Sequence, residues 1–189
     1  MSSLHRKTIK NRFLSAGRVL FALGPLVLTT VFAAEARAQS ANEYQVKAAF
    51  ILNFARFIEW PSDASGGELV IGVIGDDPFG NSLYQVASRG TANGRTLVVR
   101  RMKWGDNLRA CQILFISASE QRRLGQIIDA LRGSSVLTIG ETGEFNRSGG
   151  VIKFFIQDNK VLFEINATAA AQARLKVSSK LMALSRGGR

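Results

Sequence analysis

The chain has 189 residues, 25 of them basic and 14 acidic, with a single histidine, His5, and a single cysteine, Cys111. One thiol cannot close an internal disulfide and one imidazole cannot build a histidine-rich metal site, so apolar burial must hold the fold. The formal charge of +11 sits unevenly and falls sharply once the amino-terminal segment is set apart.

That segment reads as an export leader over residues 1–38. Arg6, Lys7, Lys10, Arg12 and Arg18 form a basic start, 19–34 is an apolar stretch, and Ala36-Arg37-Ala38 offers the small residues of a signal-peptidase site. Cleavage is expected after Ala38. The apolar stretch falls short of the roughly 20 residues of a comfortable bilayer span, so no stable membrane insertion is expected after cleavage. Removing 1–38 takes six basic residues and one acidic residue, leaving 19 against 13, and it takes His5. General-base catalysis by imidazole and any histidine-containing metal site then disappear from residues 39–189, and no cofactor is expected. A basic exported domain meets anionic lipid or an acidic protein rather than nucleic acid.

Residues 44–58 predict the first helix, with Val46, Phe50, Phe54 and Phe57 at helical spacing and Lys47, Asn53 and Arg56 as polar interruptions; Trp60-Pro61 stops it. Residues 62–67 read as a polar loop. The branched run Leu69-Val70-Ile71-Gly72-Val73-Ile74 has no polar alternation, as in a central strand covered on both faces. Asp77 is placed to cap a following helix with Pro78 at its first position, running to about Ser88. Strands follow at 96–102, 112–116 and 136–139. Between the last two, Ser119 is read as the cap of a helix reaching Leu131, with Arg122 and Arg123 outward and Leu124, Ile127, Ile128 and Leu131 inward. Strands 151–157 and 160–165 flank Asp158-Asn159, two residues that tolerate the left-handed angles of a tight hairpin. Asn166 caps a final helix to Leu184, with Ala170, Ala173, Val177, Leu181 and Leu184 as its inner stripe. The pattern predicts one α/β domain: a mixed sheet of about six strands flanked by helices, with a carboxyl-terminal hairpin and final helix.

No catalytic constellation emerges. Asp76-Asp77 at a strand end resembles the paired acids of a phosphoryl receiver, but Ser117-Ala118-Ser119 supplies no phosphate-accepting aspartate. An exported enzyme would need Asp76 to converge with Glu141 or Glu144. Gly72-Val73-Ile74-Gly75 and Gly140-Glu141-Thr142-Gly143 miss both phosphate-loop registers. Ser179 and Lys180 are adjacent, about 100° apart on a helix, and cannot form a nucleophile and base. Asn146-Arg147-Ser148 and Asn166-Ala167-Thr168 fit the glycosylation pattern, with Asn166 better used as a cap. Cys111, at the mouth of an apolar strand, reads as a buried inert thiol. Phe155 stands among polar neighbours on one hairpin face, which marks either a partner surface or coverage by a helix.

Four stretches resemble the YfiR family of small periplasmic proteins. They are Glu43-Tyr44-Gln45-Val46-Lys47-Ala48-Ala49-Phe50 with Asn53-Phe54-Ala55-Arg56-Phe57-Ile58-Glu59-Trp60-Pro61, then Gly75-Asp76-Asp77-Pro78-Phe79-Gly80, then Gly149-Gly150-Val151-Ile152-Lys153-Phe154, and Glu164-Ile165-Asn166 with Ser178-Ser179-Lys180-Leu181. The resemblance implies a periplasmic, non-catalytic regulator that binds the periplasmic sensor region of an inner-membrane diguanylate cyclase, holds it inactive, and so lowers cyclic di-GMP and biofilm formation. It also implies a homodimer, and a partner surface on the last two strands and the start of the final helix, carried here by Ile152, Glu164, Ala170 and Lys176. Redox control through the family's disulfides is not expected, because Gly72 and Asn146 occupy the regions where partners of Cys111 and of the hairpin would lie. The alternative is a small-ligand-binding module that reports to another membrane receptor such as a histidine kinase, motivated by the turn at residues 76–80.

Overall fold

The branched run after the first loop does what its composition demands. In the computed structural model, which describes residues 20–61 and 67–186 with side chains from residue 39, β2 (Glu68–Ile74) is buried at every position after Glu68. It lies in a curled seven-stranded sheet of order β3-β4-β2-β5-β6-β7-β8. The other strands are β3 (Thr91–Ala92), β4 (Arg95–Met102), β5 (Ile113–Ile116), β6 (Leu137–Gly140), β7 (Ile152–Gln157) and β8 (Lys160–Ile165). The five central strands β4, β2, β5, β6 and β7 are parallel, and β3 and β8 pair antiparallel at the two edges. The predicted mixed sheet and its hairpin are present. The strand β3 was missed because it is two residues long and enters through Asn93-Gly94, both at positive φ. Asp158 and Asn159 take φ 51° and 56°, so the second hairpin turns as its residues predict.

Helix α1 spans Leu20–Phe57. Backbone contacts divide the chain into residues 1–40 and 41–189, and α1 crosses that division. The basic start of the predicted leader lies outside the described residues, as does the loop 62–66. No helix among the described residues is long and apolar enough to cross a membrane. The inward stripe of α1 differs from the predicted one. Ala48, Ile51, Phe54, Ala55 and Ile58 are buried, whereas Val46 is 39% exposed and Lys47, read as a polar interruption, is 3% exposed.

Two apolar layers cover the sheet. On one face α1 packs over Leu69, Ile71, Val73, Ile113, Phe115, Leu137 and Ile139, and an aromatic group binds it to the hairpin: Phe54 lies 5.7 Å from Phe154 and 5.0 Å from Phe163. Such offset and edge-on pairs add about 0.5–1.5 kcal/mol each beyond their burial. On the other face Val70, Ile74, Leu114 and Ile116 meet Leu124 and Ile127 of α3 (Leu124–Ala130), Leu131 just after it, and Phe145.

Helix starts are set by local hydrogen bonds that differ from those predicted. Asp77 Oδ1 accepts from the Phe79 amide and shapes a turn, so α2 begins later, at Ser82, and ends at Arg89. A 3-10 turn at Ala118–Arg123 precedes α3, and its cap is Ser117, whose hydroxyl accepts from the Ser119 amide. The long final helix is replaced by α4 (Ala167–Gln172), a short strand β9 (Lys176–Val177) and α5 (Ser179–Leu184). Asn166 caps α4 as predicted, accepting from the Ala169 amide. The break follows from Arg174 at φ 57°: the Leu175 amide bonds back to Ala170 and the Arg174 amide to Ala171, a closing motif that buries Leu175. Ser178 then caps α5, and β9 pairs with β1 (Ile58–Glu59), the two residues that follow α1. Leu184, assigned to the inner stripe, is 64% exposed.

Phe145 is the tightest point of the second layer. A Cβ added at Gly140 would lie 2.3 Å from its ring, and one at Gly150 would lie 2.1 Å away. The ring therefore fits only because both neighbours lack side chains. Gly150→Ala is expected to destabilise the protein by about 2–3 kcal/mol through overpacking. Gly143→Ala, which meets nothing within 4 Å, should stay within about 0.5 kcal/mol of the parent in the same urea titration.

Candidate functional site

Ligand sites in open α/β sheets gather at the carboxyl ends of the strands. Here that end, beside β6, is taken by a side chain from α1. Lys47 Nζ lies 2.5 Å from Glu43 Oε1 and 2.6 Å from Glu141 Oε2, and 4.4 Å from the centre of the Tyr44 ring. The Tyr44 hydroxyl donates to Glu141 Oε1 at 3.0 Å. Its ring sits edge-on to Phe79, and Phe79 edge-on to Phe115 beneath. A charge at this depth is tolerable only because two carboxylates and a ring face meet it. Burial first, then the charge and hydrogen bond of Glu141 and the charge of Glu43, push the Tyr44 phenol above its ordinary range.

Two of the other acids weighed for chemistry are committed to ion pairs. Glu144 pairs with Arg147 at 2.8 Å, and Asp77 with Arg101 at 3.1 Å. Ser119 Oγ accepts from the Asp76 amide at 2.9 Å. The acidic turn is thus held by internal hydrogen bonds and an ion pair. Ser178 is a helix cap. No group of three or more metal-ligating side chains occurs among the described residues.

Cys111 is 2% exposed, and burial pushes its thiol up, against the opposing effects of Arg100 and of a hydrogen bond from the Gly72 backbone. A Cβ at Gly72 would fall 2.7 Å from Cys111 Sγ. The region assigned to a missing partner sulfur is therefore directly beside the thiol.

The four residues assigned to a partner surface do not share one exposed patch. Ile152 is 0% exposed and Ala170 2%, both inside the first apolar layer. Neither side chain is therefore itself at the surface. Glu164 is half-buried and pairs with Lys153 at 2.8 Å across the hairpin. Lys176 is exposed on β9, opposite Glu59 in the β1–β9 pair.

What does form a surface is the hairpin face that carries Lys153, Phe155 and Gln157 opposite Glu164, Leu162 and Lys160. The second apolar layer contains no residue of β7 or β8, so among the described residues it does not extend over this face. Arg186 lies 5.4 Å over the Phe155 ring and bonds to Gln157. Leu162 comes to Phe155 through the pairing register and Arg186 from the carboxyl-terminal end, and neither neighbour shows in the alternation of residues 151–157. Lys47 carried a legible signal, a glutamate four residues before it.

Two outcomes follow for the buried cluster. Lys47→Ala leaves two carboxylates without their cation and is expected to cost roughly 3 kcal/mol. That is the low end for a broken buried pair, because Glu43 and Glu141 retain 29% and 15% exposure; chemical denaturation measures it. For Tyr44 the raised phenol stays protonated in the fold when the unfolded chain has begun to ionise, near pH 10. Stability is therefore full below about pH 10 and is lost as pH rises above it. Tyr44→Phe should show a shallower loss between about pH 10 and 12 in the same denaturant series; an equal slope would exclude Tyr44 as its source.

Residues 44–186 match a protein-family model described as YfiR/HmsC-like, which covers every strand and all of the charged cluster except Glu43. Lys47 with Glu43, Gly150 against Phe145, and the Asn166 cap lie in the stretches that carried the resemblance. The chain belongs to the YfiR/HmsC-like family, a family of periplasmic, non-catalytic regulatory proteins linked to diguanylate cyclase signalling.

Proposed function

We propose that this protein is exported to the periplasm, binds the periplasmic sensor region of an inner-membrane diguanylate cyclase and holds the cyclase inactive, lowering cyclic di-GMP and restraining biofilm formation. The observation that carries this reading is the uncovered face of the β7–β8 hairpin. Phe155 and Leu162 are half-buried there, between the Lys153–Glu164 ion pair and Arg186. An aromatic and an aliphatic centre ringed by charged groups has the make-up of a protein contact. Family membership supplies the kind of partner.

In this arrangement Glu164 turns from Lys153 toward a basic group of the cyclase, and exposed Lys176 meets an acidic one. Ile152 and Ala170 hold the hairpin and α4 in place from beneath. Repression requires tighter binding to the inactive cyclase than to the active one.

Replacing Phe155 with glutamate and Glu164 with arginine together should weaken capture of the cyclase from solubilised membranes by at least about 30-fold, the effect of losing one hot-spot contact. Cyclic di-GMP and surface attachment should rise to the level of a gene deletion. The reading fails if deletion changes neither quantity and the unaltered protein recovers no cyclase.

A further inference from the structure

A second concavity lies away from the hairpin face, where the end of α3 meets the start of α4. It encloses about 300 Å³, at the small end of the range of about 300–1,000 Å³ typical of small-molecule sites. Its floor is apolar, built from Leu131, Val136 and Val151, with Ala169 of α4 and Ala173, which closes that helix, as one wall. Its rim is polar, with Arg132, Ser134, Ser148 and Gln172.

The charge around the rim is one-sided. Arg174 Nη2 donates to the Gly133 carbonyl at 3.2 Å, and Gly133 lines the cleft. Arg109 donates to the carbonyls of Ala130 and Arg132 at 2.9 and 3.2 Å. These two guanidiniums hold the carbonyls that end α3, and neither has a carboxylate partner among the described residues. Arg132 pairs with Asp129, the single acid of the group. Arg132 is the one charged residue of the lining, and Arg174 is anchored to its neighbour Gly133, so the field beside the apolar floor favours an anionic head on an apolar body.

We infer that this cleft is a binding site for a small amphipathic carboxylate, with its aliphatic or aryl body against Leu131, Val136 and Val151 and its carboxylate toward Arg132 and Arg174. The docking reading is independent of this site, and the test below contains no cyclase, so either can fail without the other.

The probe is 3-phenylpropionate, titrated at roughly millimolar concentration into the purified, isotope-labelled protein, with 3-phenylpropanol and 3-phenylpropylamine as controls of the same shape. The acid should shift the amides of Gly133, Ser134, Gly149 and Gln172 and bind about tenfold more tightly than the amine. Arg174→Asn keeps a residue that tolerates the left-handed angle while removing the guanidinium, and should weaken the acid about three- to fivefold, as for one exposed charge pair. Ala173→Leu fills the cleft and should abolish the shifts, while unchanged hairpin resonances show that the fold is intact. The inference is overturned if the acid leaves those four amides unmoved, if the amine binds as tightly as the acid, or if Ala173→Leu binds like the parent.

Discussion

Lys47 brings a full positive charge to 3% exposure at the carboxyl end of the sheet, and the arrangement around it decides how α1 sits. An ammonium at that depth needs anions within hydrogen-bond reach. One comes from its own helix, Glu43, and the other from the end of β6, Glu141. The ion pair therefore fixes α1 in rotation and along its axis, since a slip of one residue would remove Lys47 from Glu141. The aromatic contacts of Phe54 with Phe154 and Phe163 could form over a range of offsets; the charge selects one. The same clamp occupies the strand-end region in which related architectures hold ligands.

A difference between the two sheet faces follows from this. The face under α1 is covered from β4 to β8, because a long helix carrying Phe50 and Phe54 reaches as far as the hairpin. The opposite face is covered only as far as Phe145, whose ring needs the bare backbones of Gly140 and Gly150. Beyond it, Lys153 and Glu164 occupy positions that apolar residues take on the central strands. The hairpin is thus anchored on one side and open on the other, which lets it offer side chains outward without loosening the core.

Much of this fold was legible in the sequence because its strongest signals are local. An unbroken branched run gave β2, and Asp158-Asn159 gave the hairpin turn and with it the register of β7 on β8. The errors arose where tertiary contact overrode local pattern. Val46 fits the helical stripe by spacing, yet the stripe turns toward Ala48 and Ile51 because Lys47 is drawn inward by Glu141, 94 residues away. The carboxyl-terminal stripe from Ala170 to Leu184 looks continuous, but Arg174 takes a left-handed angle so that Leu175 can be buried and β9 can join β1. Residues such as Ile152 and Ala170 matched a family pattern whose surface or interior role only packing could decide.

The pairing of Gly72 with Cys111 bears on how such a protein can be controlled. A disulfide between these strands would require a second sulfur within reach of Cys111 Sγ, and Gly72 occupies that place with no side chain. The remaining thiol is buried and pushed toward its neutral form, which slows attack on external oxidants. A covalent latch at this point is therefore absent. The cleft proposed for a ligand lies elsewhere. Helix α4 forms one wall of the Arg132–Arg174 cleft and joins the hairpin, through Asn166, to the strand that carries Lys176. The cleft wall and the backbone that leads to Lys176 thus share one short, well-capped element.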